Sequence, residues 1–129
     1  DPEAAGTADY IAKCCREIVE RYDVDGIHLD YIRYPETWPR PSAKVRKGKN
    51  AKGAPAAKNL SAKERRDNIT RIVDAVYREV KSRKPWVMLS CSPIGKHDDL
   101  TRYRSGGWNA RSAVYQDVQQ WLKDGKMET

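Results

Sequence analysis

The order of its periodic segments constrains this chain most. Two short apolar runs, residues 27–31 and the stretch WVMLSCSP at 86–93, are separated by one long helical period, and a helical segment precedes each. Neither run is long enough for a helix. Turn residues bound both: Asp25-Gly26 and Pro35 around the first, Lys84-Pro85 and Pro93 around the second. They read as strands. Strands joined through a helix cannot form a hairpin, so the connection is a βαβ crossover, the pairing is parallel, and helices must cover the sheet. The expected fold class is α/β, built of parallel β/α units.

The helical segments have distinct signatures. Ile11, Ala12, Cys15, Ile18, Val19 and Tyr22 make a stripe at 3,4-spacing with Lys13, Arg16, Glu17 and Glu20 opposite, which predicts a helix over about 7–22. Ser61 followed by Glu64 is a capping-box pattern. Behind it Ile69, Ile72, Val73, Val76, Tyr77 and Val80 recur at helical spacing, with Lys and Arg crowding the last turn, so a second helix is expected to about Arg83. Val114, Val118, Trp121 and Leu122 predict a third, stopped by Gly125. Between residues 36 and 60, Pro39, Pro41, Gly48, Gly53 and Pro55 leave no hydrophobic period, and a long loop is expected there. A second loop follows Pro93 and reaches about Asn109.

A chain of 129 residues with 39% hydrophobic and 33% charged residues belongs with globular proteins and not with disordered or membrane ones. No stretch approaches the roughly 20 apolar residues of a spanning helix, and DPEAAGTADY has neither a basic nor an apolar leader region, so no export signal is visible. A chain that opens on Asp1 is expected to be a processed or excised piece. The net charge of +7 suggests an acidic partner, yet much of it sits in RPSAKVRKGKNAKGAPAAK, which holds no Asp or Glu and no aromatic residue. A solvated loop is expected there, and nucleic-acid binding is not. Cys14, Cys15 and Cys91 lack CxxC spacing, so buried free thiols are expected and neither a disulfide framework nor a zinc site. No cofactor is expected.

Two parallel strands do not make a stable sheet alone, and unpaired edges are templates for self-association. The whole that suits this order is a (β/α)8 barrel, for which about 250 residues are usual. Residues 1–129 are then expected to be a fragment of one such barrel.

The stretch VDGIHLDYIRYP at 24–35 alternates polar and apolar residues although helices flank it on both sides. A barrel resolves the conflict. Ile27 and Leu29 would pack beneath the helices while His28 and Asp30 point inward, with Asp30 at the C-terminal strand end where catalytic residues of this architecture project and His28 one layer deeper. An ionised carboxylate there needs a partner, and Arg33 or His28 could supply it. The alternative is a structural Asp30 satisfied by backbone amides. Tyr31, Tyr34, Trp38 and Trp108 offer flat faces for stacking on pyranose rings, and Arg33, Lys96, Asp98 and Asn109 offer groups for hydroxyls, the mixture of ligand clefts. His97-Asp98-Asp99 is not read as a metal site, because adjacent residues rarely all face one ion.

Three segments, YDVDGIHLDYIRYP, RRDNITRIVDAVYREVKSRKPWVMLSCSPIGK and YQDVQQWLKDG, resemble in order and spacing the central part of glycosyl-hydrolase-like family 10, bacterial glycosidases with a (β/α)8 barrel. The resemblance covers nearly all of the chain. It implies that Asp30 holds the acidic position ending the DGIHLDY strand and that Ser92, Pro93 and Gly95 form an SPxG turn beside the cleft. It also implies an exported protein, periplasmic, outer-membrane or extracellular and often a lipoprotein, acting on a polysaccharide such as peptidoglycan glycan strands stripped of their peptides. Asp30 is the candidate catalytic residue; His28, Tyr31, Arg33, Tyr34, Ser92, Lys96 and Trp108 are the candidate substrate contacts.

Glycoside hydrolysis normally uses two carboxyl groups, about 5–5.5 Å apart for retention and about 6.5–9.5 Å for inversion. The inward positions of the second strand are serines, so the partner of Asp30 is expected on another strand, with Asp98 or Asp99 as alternatives within this chain. A fragment lacking it should have little activity alone. The competing expectation is a noncatalytic carbohydrate-binding barrel that keeps the aromatic cleft.

Overall fold

The computed structural model describes residues 1–36, 60–99, 102 and 107–128. Most of the expected long basic loop, including Trp38, lies outside the described residues, as does part of the second loop. Helix α1 spans Thr7–Arg21 and starts from Gly6, whose φ of 87° is left-handed and favours glycine. Its buried face is Ala8, Ala12, Cys15 and Val19. That face is narrower than the predicted stripe: Ile18 and Tyr22 are exposed. Small residues let α1 lie against α2 (Ala62–Arg83), which buries Ile69, Ile72, Val73, Val76 and Val80.

The capping box forms as the sequence predicts. Ser61 Oγ accepts the Glu64 N–H at 3.2 Å and the Glu64 carboxylate accepts the Ser61 N–H at 2.7 Å. Such a cap contributes about 1 kcal/mol. Ion pairs Arg16–Glu79 at 3.5 Å and Arg83–Glu20 at 3.1 Å clip the two helices along their wet rim.

Strands β1 (Gly26–Leu29) and β2 (Met88–Cys91) pair in parallel, with Gly26 opposite Met88 and Leu29 opposite Cys91. The parallel βαβ pairing predicted from segment order is therefore present. Gly26 permits the close approach at the start of the ladder, since a Cβ there would sit 3.2 Å from the Met88 carbonyl oxygen. Leu29, Val87 and Leu89 are buried under the helices, and Ile27 packs against the same core. The opposite face carries His28, Asp30, Met88, Ser90 and Ser92, and it is the wetter one. Alternation thus assigns each side chain to the face expected for it.

The third helix differs from expectation. It is two short helices, α3 (Ala110–Ala113) and α4 (Val118–Lys123), interrupted by Tyr115 at φ 63°. The reason is visible in what the interruption delivers. Val114 turns its carbonyl to the Tyr34 N–H at 3.1 Å, and the Gln116 side chain reaches both strand-end loops. A continuous helix would keep that carbonyl for itself. Beyond the break, Trp121 is fully buried and its indole N–H donates to Thr70 Oγ1 at 2.9 Å, docking α4 on α2. Gly125, at φ 66°, ends α4 where the sequence places the stop.

Cys15 is buried, while Cys14 and Cys91 are half-buried; all three are free thiols. Burial pushes the Cys15 and Cys91 thiols up, so both stay protonated at neutral pH. Among the described residues, no helix is long and apolar enough to cross a membrane.

Candidate functional site

The wet face of the sheet converges at its C-terminal end. β1 stops at Leu29, and Asp30 opens a turn in which its Oδ1 accepts the Tyr31 N–H at 2.9 Å. Tyr31 takes a left-handed conformation, φ 52°, uncommon for an aromatic residue. Strain of this kind collects at functional sites and costs on the order of 1–3 kcal/mol. Here it turns the chain so that Tyr31 is exposed beside Asp30 while Ile32 drops into the core. Asp30 itself is exposed.

Arg33 was one of two cations expected to pair with Asp30. Its guanidinium lies instead over the ring of Tyr31, 4.5 Å from the centroid, and over that of Trp108 at 5.5 Å, with Glu36 at 3.5 Å. A planar cation between two aromatic faces is held in one orientation. It ties the loop after β1 to the segment that carries Trp108. His28, the other expected cation, is likewise committed: its Nδ1 lies 2.9 Å from Ser90 Oγ and its Nε2 2.7 Å from Ser92 Oγ. Register explains this. His28 stands directly opposite Ser90, and continuing the ladder by one residue sets Asp30 opposite Ser92.

Tyr34, expected to stack on sugar, is a core residue. It is fully buried, meets Tyr115 edge-on with centroids 5.2 Å apart, and accepts from Asn68 Nδ2 at 3.1 Å. Desolvation, the main influence, pushes its phenol up. Asn109, expected to bind hydroxyls, is also buried and caps α3 by accepting the Ser112 N–H at 2.8 Å. Tyr31 and Trp108 stay exposed, each with Arg33 over its ring.

Lys96 lies on the loop after β2. Its carbonyl accepts the Ala110 N–H at 2.8 Å, and its ammonium pairs with Asp99 at 2.6 Å. That loop borders a cleft of about 650 Å³ whose walls include His97, Asp98, Arg111, Asp117 and Lys123. Asp98 pairs with Arg111 at 3.0 Å, and His97 Nε2 lies 4.0 Å from Asp117. The His97-Asp98-Asp99 run thus turns its three side chains to three different partners. The Asp99 N–H, aided by Arg111, holds the Asp98 carboxyl below the usual carboxylate range. Asp98 is therefore ionised at neutral pH and is unsuited to donate a proton. Among the described residues no group of three or more His, Cys, Asp and Glu side chains is placed to hold a metal.

Several organising residues escaped the sequence reading. Gln116, fully buried, donates from Nε2 to the Ile32 carbonyl at 3.2 Å and accepts the Ile94 N–H on Oε1 at 3.1 Å. One side chain therefore fixes the loops after both strands. Arg65 is buried with Glu3 at 3.5 Å and stands over the rings of Tyr34 at 5.5 Å and Tyr115 at 5.3 Å. The available signal was a polar residue set within an apolar period, at Gln116 in VYQDV and at Arg65 one turn before Ile69.

A carboxylate, a cation beside two aromatic rings and a serine–histidine cluster thus gather at the C-terminal ends of two parallel strands. The comparisons agree on the family. The glycosyl hydrolase-like 10 model matches residues 1–129, and the chain belongs to that family. It is 30% identical over 142 residues to "Glycosyl hydrolase YngK" of Bacillus subtilis (strain 168), an alignment covering 98% of this chain and 25% of that protein. It is 29% identical over 133 residues to "Glycosyl hydrolase DigH" of Escherichia coli (strain K12), covering 99% of this chain and 29% of that protein. The chain thus spans between a quarter and a third of the length of these relatives.

Proposed function

We propose that these residues are part of a (β/α)8 glycoside hydrolase and supply one of its two catalytic carboxyl groups, Asp30, as nucleophile or base. The observation that carries this is the place of Asp30 at the C-terminal end of a parallel strand, on the face shared with His28, Ser90 and Ser92 and beside the exposed ring of Tyr31. Ligand sites of parallel α/β sheets sit at that end. The names of the matched relatives support hydrolysis of glycosidic bonds as the reaction class.

In the proposed reaction the Asp30 carboxylate attacks the anomeric carbon or activates water against it. An acid elsewhere protonates the leaving oxygen. Asp98 does not suit the acid's role, being held ionised by the Asp99 amide and Arg111, and Asp99 is bound to Lys96 at 2.6 Å. We place the acid on a strand outside these residues. Tyr31 and Trp108 supply stacking faces, Arg33 fixes their spacing, and Ser92 and Lys96 contact hydroxyls. The proposed substrate is a polysaccharide, peptidoglycan glycan with its peptides removed, which sets the place of action outside the cytoplasmic membrane.

One observation favours a second reading, a noncatalytic carbohydrate-binding barrel: Ser90 of β2 and Ser92 just past its end stand where a second carboxylate would serve a hydrolase. Reducing-end release from purified peptidoglycan, with and without amidase pretreatment, separates the two. The full-length protein should release reducing ends from the pretreated glycan, and this chain alone should not. Binding without release by the full-length protein would support the second reading.

A further inference from the structure

His28 uses both ring nitrogens on serine hydroxyls, at 2.9 Å to Ser90 and 2.7 Å to Ser92, and all three side chains share the sheet face that bears Asp30. Resting on the glycosidase reading, we propose that Ser90–His28–Ser92 is a sugar subsite that reads a pair of saccharide hydroxyls, with His28 as the positioning residue and the two serines as the contacts.

The argument is one of donor and acceptor inventory. A neutral imidazole has one N–H and one bare nitrogen. The bare nitrogen takes the proton of one serine, which leaves that oxygen able only to accept from a ligand. The ring N–H donates to the other serine, whose own O–H is then free to donate outward. Whichever tautomer is present, the cluster offers one acceptor and one donor separated by the width of an imidazole. Two saccharide hydroxyls reached on either side of the ring, one donating and one accepting, match that pair; a carboxylate or phosphate, which only accepts, does not.

The depth of the cluster fits the same role. Ser90 is level with His28, and Ser92 lies two residues further toward the strand end that leads into Asp30, so a saccharide bound at Asp30 reaches the serines from that end.

The test is KM and kcat for peptide-free peptidoglycan glycan strands, measured on the full-length protein as wild type, Ser90→Ala, Ser92→Ala and His28→Gln. Each serine variant should raise KM about fivefold, the size of one hydrogen bond, with a smaller change in kcat. His28→Gln, whose amide keeps one donor and one acceptor, should raise KM less than either serine variant, and the two serine variants keep the test informative if it fails to fold. An unchanged KM in both folded serine variants overturns the subsite and leaves the glycosidase reading intact. No turnover by the wild type removes both.

Discussion

Glu128 holds Leu89 at both of its backbone groups: the Leu89 N–H donates to Oε2 at 2.7 Å, and the Leu89 carbonyl accepts the Glu128 N–H at 2.8 Å. Leu89 turns these groups away from β1, so Glu128 occupies the outer edge of β2 where a further strand would pair. The unpaired edge expected to drive self-association is thus partly covered at its centre.

Lys81, 2.7 Å from Oε1, and the Leu89 amide together hold the Glu128 carboxyl below its ordinary value. A depressed folded-state pKa stabilises the fold above the unfolded value, near 4.3, and that contribution is lost as pH falls through the folded one. The Glu128 side chain is nearly half exposed, so solvent screening reduces this contribution and Glu128→Gln should cost under about 1 kcal/mol at pH 7. The difference should close on acidification below the folded-state pKa. Urea unfolding of both proteins at neutral and acid pH measures it, and an equal gap at the two ends would contradict the assignment.

Gln116 spans 84 residues of sequence to Ile32 and 22 to Ile94. Gln116→Leu keeps the volume but strands a carbonyl and an amide, each costing about 1–3 kcal/mol when buried. A loss of at least about 2 kcal/mol is expected, with hydrogen exchange accelerated in both strand-end loops together. Acceleration in one loop alone would mean that Gln116 does not couple them.

The order of elements was legible because local rules set it: the Ser61–Glu64 box, the stop at Gly125 and the alternation around His28 each act within a few residues. The continuity of the third helix was not. Periodicity registers the apolar side chains of Val114 and Val118, but the break at Tyr115 serves the Tyr34 amide some 80 residues away. The same limit governs the site. Asp30, Tyr31 and Trp108 could be nominated from chain order, whereas the choice between core and cleft for Tyr34 depends on Tyr115, Asn68 and Arg65, contacts that no local pattern records.

Tyr34 and Trp108 should therefore separate cleanly under truncation. Tyr34→Ala removes a fully buried ring and should cost about 3–5 kcal/mol. Trp108→Ala acts on a partly exposed ring and should cost less, about 1 kcal/mol, while weakening glycan binding by the loss of a stacking face. Thermal unfolding paired with a glycan pull-down on the full-length protein tests both. Equal destabilisation by the two variants would place Trp108 in the core as well.

Asp30→Asn is the sharpest test of the proposed chemistry, because the amide retains a side-chain oxygen able to accept the Tyr31 N–H and so preserves the turn. Stability should change little at this exposed position. If Asp30 is nucleophile or base, turnover of peptide-free glycan by the full-length protein should fall at least about 10²-fold, the range for removing a group that acts on the reacting atoms. Binding should persist, since the stacking faces of Tyr31 and Trp108 and the serines beside His28 are untouched. Full turnover in this variant would reduce Asp30 to the structural role of capping the Tyr31 amide, and the carboxyl pair would have to come from elsewhere in the protein.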